Sequence, residues 1–408
     1  MKPVGPIPPG FESLDGELAI GGRRVSELVA EAGRTPLFVY SREHLDRRMA
    51  ELRAALPARV GVNYAVKANP HPAVIAHMAP LVDGFDIASA GELMLCVAAG
   101  IDPARISFAG PGKRDEELEA AIRAGVTLNC ESEGEGDRAL AIGQRLGLAP
   151  RIAVRVNPSF VMTGSGMKMG GGAKQFGVDA ERVPALARHL IDQGAEWRGL
   201  HIFTGSQTLS ADAIIEAQTN VLALAAKLAG QIGAPCPKLN MGGGLGIPYF
   251  PGDTPVDLPR VGAALAERVA DLPPVLAETE LCMELGRYLV GEAGVYLTRV
   301  IDRKESHGTT FLVTDGGLHH QLAASGNFGT VVRRNYPSAI ATRYGAEPSE
   351  EVNIVGCLCT PLDRLADNAM MPRAEVGDLV AVFCAGAYGA TASPLAFLGH
   401  GPAAELLV

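Results

Sequence analysis

The chain has 408 residues, 47% hydrophobic and 20% charged, a balance that builds a large core and excludes disorder as the main state. A formal net charge of −9 offers no basic field to a nucleic acid or an anionic membrane. The seven cysteines, odd in number and mostly in apolar runs, read as reduced thiols of a cytoplasmic protein, and no apolar leader or run of about 18 apolar residues predicts a membrane span. Glycine, at 49 residues, exceeds the roughly 7% that is usual, so many backbone positions must be free of side chains.

In chain order, residues 17–20 and 23–25 around Gly21-Gly22 read as a hairpin. Between residues 35 and 275, short β-rich runs (37–40, 60–65, 84–87, 106–109, 127–130, 151–156, 199–202, 238–241) alternate with segments of helical spacing (43–55, 89–99, 114–124, 133–145, 183–193, 211–229). Alternation repeated about eight times predicts a parallel (β/α)8 TIM-like barrel over residues 30–278, with an open doubly wound sheet as the alternative. From residue 280 the texture turns β-branched (294–300, 310–313, 351–355, 379–384), which predicts a C-terminal antiparallel β-sandwich or barrel domain over 279–408, joined by residues 1–29.

Three motifs carry chemistry. Val62-Asn63-Tyr64-Ala65-Val66-Lys67-Ala68-Asn69-Pro70 ends an apolar strand with an amine at the barrel's C-terminal mouth, where desolvation favours the neutral amine of Schiff-base chemistry. Its plainer alternative is a snorkelling lysine. Leu239-Asn240-Met241-Gly242-Gly243-Gly244-Leu245-Gly246 follows a late strand, where a glycine run lets backbone N–H groups approach a phosphate; taken alone it is also a tight connection. Glu284-Leu285-Gly286-Arg287 could set a buried carboxylate against a pyridine nitrogen, or be a surface ion pair. A reactive lysine facing a phosphate cradle is what pyridoxal 5'-phosphate requires, which makes the combination more specific than its parts.

Together these stretches resemble the fold-type III pyridoxal-phosphate decarboxylases, the group of the diaminopimelate, ornithine and arginine decarboxylases. Further matching segments, in order, are 85–92 (F-D-I-A-S-A-G-E), 155–158 (R-V-N-P), Phe176-Gly177, 199–207 (G-L-H-I-F-T-G-S-Q), 314–316, 356–363 and 386–389 (G-A-Y-G), so the likeness covers nearly the whole chain. The resemblance implies that Lys67 carries the cofactor, Glu284 pairs with the pyridine nitrogen, and Asp86 and Arg155 support the lysine and ring. It implies a cofactor shell completed by His201, Phe203, Ser206, Gly243, Gly244, Gly286, Arg287 and Tyr388, with no metal. It further implies a homodimer in which Cys359 from the partner subunit protonates the carbanion. Arg287, Asp315, Thr360 and Tyr388 are the expected substrate contacts, and Cys357 is expected to be a structural thiol.

The departures from the family concern the substrate. Phe203 stands where the family stacks a histidine, Cys359-Thr360-Pro361 lacks the carboxylate that meets a distal amine, and residues 315–325 lack the arginine and tyrosine that meet a distal carboxylate. Phe203, Cys359-Thr360-Pro361-Leu362-Asp363 and residues 317–336 are similar to a subgroup of exosortase-associated decarboxylases related to an enzyme acting on carrier-tethered glutamate. That likeness implies an L-amino acid or a carrier-protein-tethered aminoacyl group as substrate, with Arg333 and Arg334 as a contact for an acidic carrier. The glycine-rich run 164–172 is expected to be a lid carrying Lys168. The alternatives are meso-diaminopimelate decarboxylation, amino-acid racemisation on the same barrel, and a non-catalytic homologue that binds the cofactor.

Overall fold

The computed structural model describes all residues except 162, 163, 165, 169 and 327–332, with only the backbone of Met167 and Lys168. It falls into two compact units, one of residues 49–246 and 256–286 and one of residues 1–48, 247–255 and 287–408. Among the described residues, no helix is long and apolar enough to cross a membrane.

The first unit is the barrel. Its strands are β1 (Val60–Ala65), β2 (Gly84–Ile87), β3 (Ile106–Phe108), β4 (Thr127–Cys130), β5 (Arg151–Asn157), β6 (Glu196–Ile202), β7 (Lys238–Asn240) and β8 (Glu280–Leu285). All neighbours pair in parallel, and the β8–β1 pairing closes the ring. Such a sheet is covered on both faces, which is why these strands read as near-continuous apolar runs. Helices follow the strands, and their starts carry side-chain caps: Ser89, Ser132, Ser210 and Asp257 accept from the N–H groups of Glu92, Glu135, Ala213 and Arg260. Helix starts thus sit at the C-terminal mouth, and so do the βα turns that bear Lys67, Glu131 and residues 242–246.

The second unit is a mixed sheet. Gly294–Ser306 is its spine, antiparallel to Thr309–Thr314 and Leu379–Val382. Two pairings are parallel, Thr309–Thr314 with Glu350–Val355 and Ala404–Leu407 with Leu37–Tyr40, so the sheet is not purely antiparallel. Leu37–Tyr40, read above as the first barrel strand, instead pairs with Gly294–Ser306. All four of its residues are buried, and a continuously apolar strand does not reveal which sheet covers it. Glu17–Ile20 and Arg23–Arg24 form the expected hairpin, extended by Glu12–Leu14. Phe11, Leu18, Leu28, Val39, Leu297 and Phe383 belong to the core of this unit.

Candidate active site

Lys67 lies in a single 3-10 turn, Val66–Ala68, directly after β1. The β8–β1 register sets Glu284 opposite Asn63, and the Lys67 Nζ reaches 3.4 Å from Glu284 Oε1. The lysine side chain is 45% exposed whereas that of Glu284 is 4% exposed, so the amine is reachable and the carboxylate is not. His201 on β6 brings Nε2 to 3.0 Å from Glu284 Oε2, off the line of a hydrogen bond, and the Lys67 ammonium stands 5.9 Å from the Phe203 ring centre.

Electrostatics separate the two carboxyls of this cluster. Burial pushes Glu284 up, but the Lys67 ammonium and then His201 outweigh it and hold the carboxyl well below the usual range. Burial also pushes His201 down against the pull of Glu284, which favours a neutral imidazole. Asp86 on β2 moves the other way: burial first, and the charge of Glu284 second, raise it to about 7 despite the Ser107 hydroxyl donating to its Oδ1. One carboxyl is therefore kept ionised and the other poised near neutrality. Among the described residues, Glu284 Oε2, Asp86 Oδ2 and both ring nitrogens of His201 are buried without a hydrogen-bond partner. Buried polar atoms without partners call for a polar group that the protein itself does not supply.

The glycine loop closes against β8. A Cβ on Gly243 would meet the Glu284 carbonyl oxygen at 2.1 Å, so no side chain fits, and Gly244 has φ +96°, a conformation glycine adopts without strain. The loop is tied at both ends: Gly242 N–H donates to Asn240 Oδ1 (2.9 Å), Glu284 N–H to Gly242 O (2.8 Å), and Thr208 N–H to Gly244 O (2.9 Å). Ser206 sits just before this contact, in the short pairing of Gly205–Ser206 with Met167–Lys168. The expected lid, 164–172, falls partly outside the described residues, including the Lys168 side chain.

Arg155 on β5 is positioned by residues the sequence reading passed over. Its Nη1 donates to Glu131 Oε1 at 2.8 Å and its guanidinium stands 4.8 Å from the Phe176 ring centre. Glu131 also accepts from the Gly110 N–H (2.5 Å) and the Gly177 N–H (3.1 Å). Beside it the buried Lys113 donates to Glu135 Oε1 (2.7 Å) and to the carbonyls of Gly110 and Asn129 (both 2.9 Å). Burial raises Glu131, yet Arg155 outweighs it and keeps the carboxyl below its ordinary value. Lys113, just before a helix, and Glu131, just after β4, resemble ordinary loop charges in the sequence until the turns are folded.

In the second unit, Arg287 is half-buried, donates from Nη1 to the Tyr249 hydroxyl (2.7 Å) and stacks 4.7 Å from the Tyr388 ring centre; its Nε is buried without a partner among the described residues. Gly286 precedes it in the chain. Cys359 is exposed on the loop 356–363, which Asp363 pins by accepting from the N–H groups of Leu318 (2.6 Å) and Leu358 (2.8 Å). Thr360 shares that loop and accepts from the Leu362 N–H (3.4 Å). Asp315 spends its carboxylate on the hydroxyls of Thr298 and Thr35 and the Arg299 N–H, the contacts of a strand clamp. Cys357 is half-buried with its thiol toward Asp315 O. Arg333 pairs with Asp367 (3.2 Å) and Arg334 lies over Phe250 (3.7 Å), while 327–332 fall outside the described residues.

Residues 42–291 match the family model of the pyridoxal-dependent decarboxylases, pyridoxal binding domain. The chain is 34% identical over 383 residues to the L-glutamyl-[BtrI acyl-carrier protein] decarboxylase of Niallia circulans, covering 91% of this chain and 88% of that protein. It is also 34% identical over 401 residues to the diaminopimelate decarboxylase of Archaeoglobus fulgidus, covering 98% and 93%. Among solved structures, the diaminopimelate decarboxylase of M. jannaschii in co-complex with L-lysine superposes with TM-score 0.86 at 26% identity over 98% of this chain and 93% of that one. A variant of SrLDC in complex with PLP gives 0.80 at 26% identity, covering 96% of each chain.

Proposed function

Since the chain belongs to the fold-type III pyridoxal-dependent decarboxylases and is a carboxy-lyase with pyridoxal 5'-phosphate as its cofactor, we propose that it removes the α-carboxylate of an L-aminoacyl group tethered to a carrier protein. The observation that carries the decarboxylase chemistry is the buried Glu284, its carboxyl held below the usual range, within 3.4 Å of the reachable Lys67 amine. The residues fit the cofactor: unpartnered atoms of Glu284 and His201 await a polar ring edge, and the glycine loop leaves backbone clear for a phosphate. When bound, the cofactor supplies an electron sink for the pair left behind by departing carbon dioxide.

The chain's own residues divide the rest of the work. With the cofactor bound, Lys67 would hold its aldehyde and move protons at the amino nitrogen, and Glu284 would hold the proton on the pyridine nitrogen. Phe203 and His201 support the ring, Asp86 and Arg155 the charges around it. Ser206, Gly243, Gly244 and Gly286 would hold the phosphate, and the family likeness adds Arg287 and Tyr388 as expected contacts. Cys359, exposed on its pinned loop, returns the proton to the α-carbon of the partner subunit's substrate, which requires a homodimer.

Thr360 supports a substrate with a neutral far end, because a hydroxyl does not offset a desolvated ammonium. The glutamyl-carrier decarboxylase among the relatives points the same way. Diaminopimelate is the second reading, favoured by relatives of equal identity over a larger share of the chain. Carbon dioxide release is to be measured over free diaminopimelate, lysine, ornithine, arginine, glutamate and glutamyl-carrier protein. The carrier-bound group is expected to exceed free glutamate in kcat/KM by about 100-fold, since a free distal charge would be buried unpaired. Preferred turnover of diaminopimelate would replace this reading, and racemisation without carbon dioxide would overturn the decarboxylase mechanism.

A further inference from the structure

Barrel interiors are ordinarily filled by layers of branched apolar side chains. Here a cavity of about 40 Å³ lies inside the barrel toward its N-terminal end, reached by Asn63 of β1, Ser107 of β3, Asn129 of β4 and Asn240 of β7. A water needs roughly 10–15 Å³ of such room, so the space suits about three waters or one small ion. Three cations, Arg105, Arg198 and Lys238, line it, and no carboxylate does.

Among the described residues that line this space, two donors and one acceptor, Asn63 Oδ1, are buried without a hydrogen-bond partner. Asn240 Oδ1 already accepts the Gly242 N–H, which fixes the amide, so Nδ2 is the atom left buried without a partner. Arg198, on the neighbouring strand β6, leaves Nε buried and unpartnered, its Nη1 being engaged with Glu196 (3.1 Å). The other wall is spent differently: Asn129 donates to the Ser107 hydroxyl, which donates to Asp86. Charge decides between water and an ion. Lys238 has a carboxylate partner in Glu280 (2.6 Å), Arg198 shares Glu196 with Arg151, and Arg105 donates only to the carbonyls of Asp83, Ala79 and Val82. The lining cations, each partly exposed, therefore outnumber the carboxylates paired with them, with the Asp86 carboxyl behind Ser107 as the nearest further acid, and unpaired N–H donors lie beside them.

We propose that the barrel interior binds a halide-sized monovalent anion between Asn240 Nδ2 and Arg198 Nε, a site separate from Lys67 and Glu284 and independent of the substrate assignment. The test uses the full-length protein with its cofactor and bromide as probe. Crystals soaked in bromide are expected to show an anomalous peak in this cavity, and sodium bromide is expected to raise the unfolding midpoint saturably over sodium gluconate at equal ionic strength. Arg198→Gln is expected to weaken bromide by about tenfold, the effect of losing one charge-assisted hydrogen bond. Arg198→Lys, which keeps the charge but not the Nε donor, should fall between. A cavity holding water alone with no anomalous peak, equal midpoints in the two salts, or a peak in the crystal with no effect in solution would each overturn the proposal.

Discussion

Glu131 and Glu284 both stand at the C-terminal mouth of the barrel, both almost wholly buried, and they are balanced in opposite ways. Glu131 takes Arg155 and two backbone N–H groups, and its neighbours Lys113 and Glu135 pair with each other, so two cations meet two anions and, among the described residues, none of their buried side-chain polar atoms lacks a partner. Glu284 has a half-exposed amine at 3.4 Å and an imidazole off-axis, and both it and Asp86 keep a buried oxygen without a hydrogen bond. A closed charge set holds loops in place. An open one leaves buried polar atoms for a ligand to complete, and that is where reactivity belongs.

Substitutions on the two sides should therefore separate activity from stability. Lys67→Ala is expected to abolish the visible cofactor absorbance and lower decarboxylation by about 1,000-fold or more, because no other amine stands beside Glu284 among the described residues. Compared between cofactor-free proteins, its unfolding free energy should fall by less than that of Lys113→Met, since the Lys67 side chain is half in water and its pairing with Glu284 is screened accordingly. Retention of the band in a spectrum of the purified variant would remove Lys67 from its role. Lys113→Met should do the reverse, costing about 3–5 kcal/mol in urea unfolding by stranding Glu135 without its cation, while the visible band persists. The double change Lys113→Met with Glu135→Leu should recover most of that loss, because removing both charges leaves nothing unpaired. Equal destabilisation by the single and double changes would mean that the closed set acts through packing and not through charge.

How much of this was legible in the sequence follows the same division. Lys67, Glu284 and the glycine run were readable together, because an amine at a strand end and glycines after a late strand are each ambiguous alone and specific in combination. Glu131, Lys113 and Glu135 left no such mark, since their meaning depends on three turns meeting across β3, β4 and β5. Leu37–Tyr40 was found as a strand with its bounds correct but assigned to the wrong sheet, because local pattern fixes burial and not the pairing partner. Leu258–Ala270 escaped notice behind its leading proline, which in fact sits at a permitted first-turn position. Asp315, expected as a substrate contact by its place in a motif, accepts from the Thr35 and Thr298 hydroxyls and the Arg299 N–H, partners far apart in the chain that no local pattern announces.

The smallest expected effect concerns the pH dependence of the open set. Asp86 stands at about 7 in the folded chain against an ordinary 3.8, for reasons of burial and then of Glu284's charge. Between those values the unfolded chain has released this proton and the folded chain still holds it, so stability falls as pH rises through the window and levels off above about 7. Asp86→Asn removes the titration. The variant should therefore gain on the wild type as pH goes from about 5 to 8, by at most on the order of 1 kcal/mol per pH unit. Urea midpoints of cofactor-free protein at those two pH values measure it, and Glu131→Gln supplies the contrast. Glu131 is held below its ordinary value, so its contribution is present at neutral pH and lost as pH falls through the acidic range, leaving no difference between pH 5 and 8 of the kind Asp86 gives. If both variants track the wild type in parallel over that window, the open carboxyl is no more poised than the closed one, and the contrast between the two sets fails on its electrostatic side.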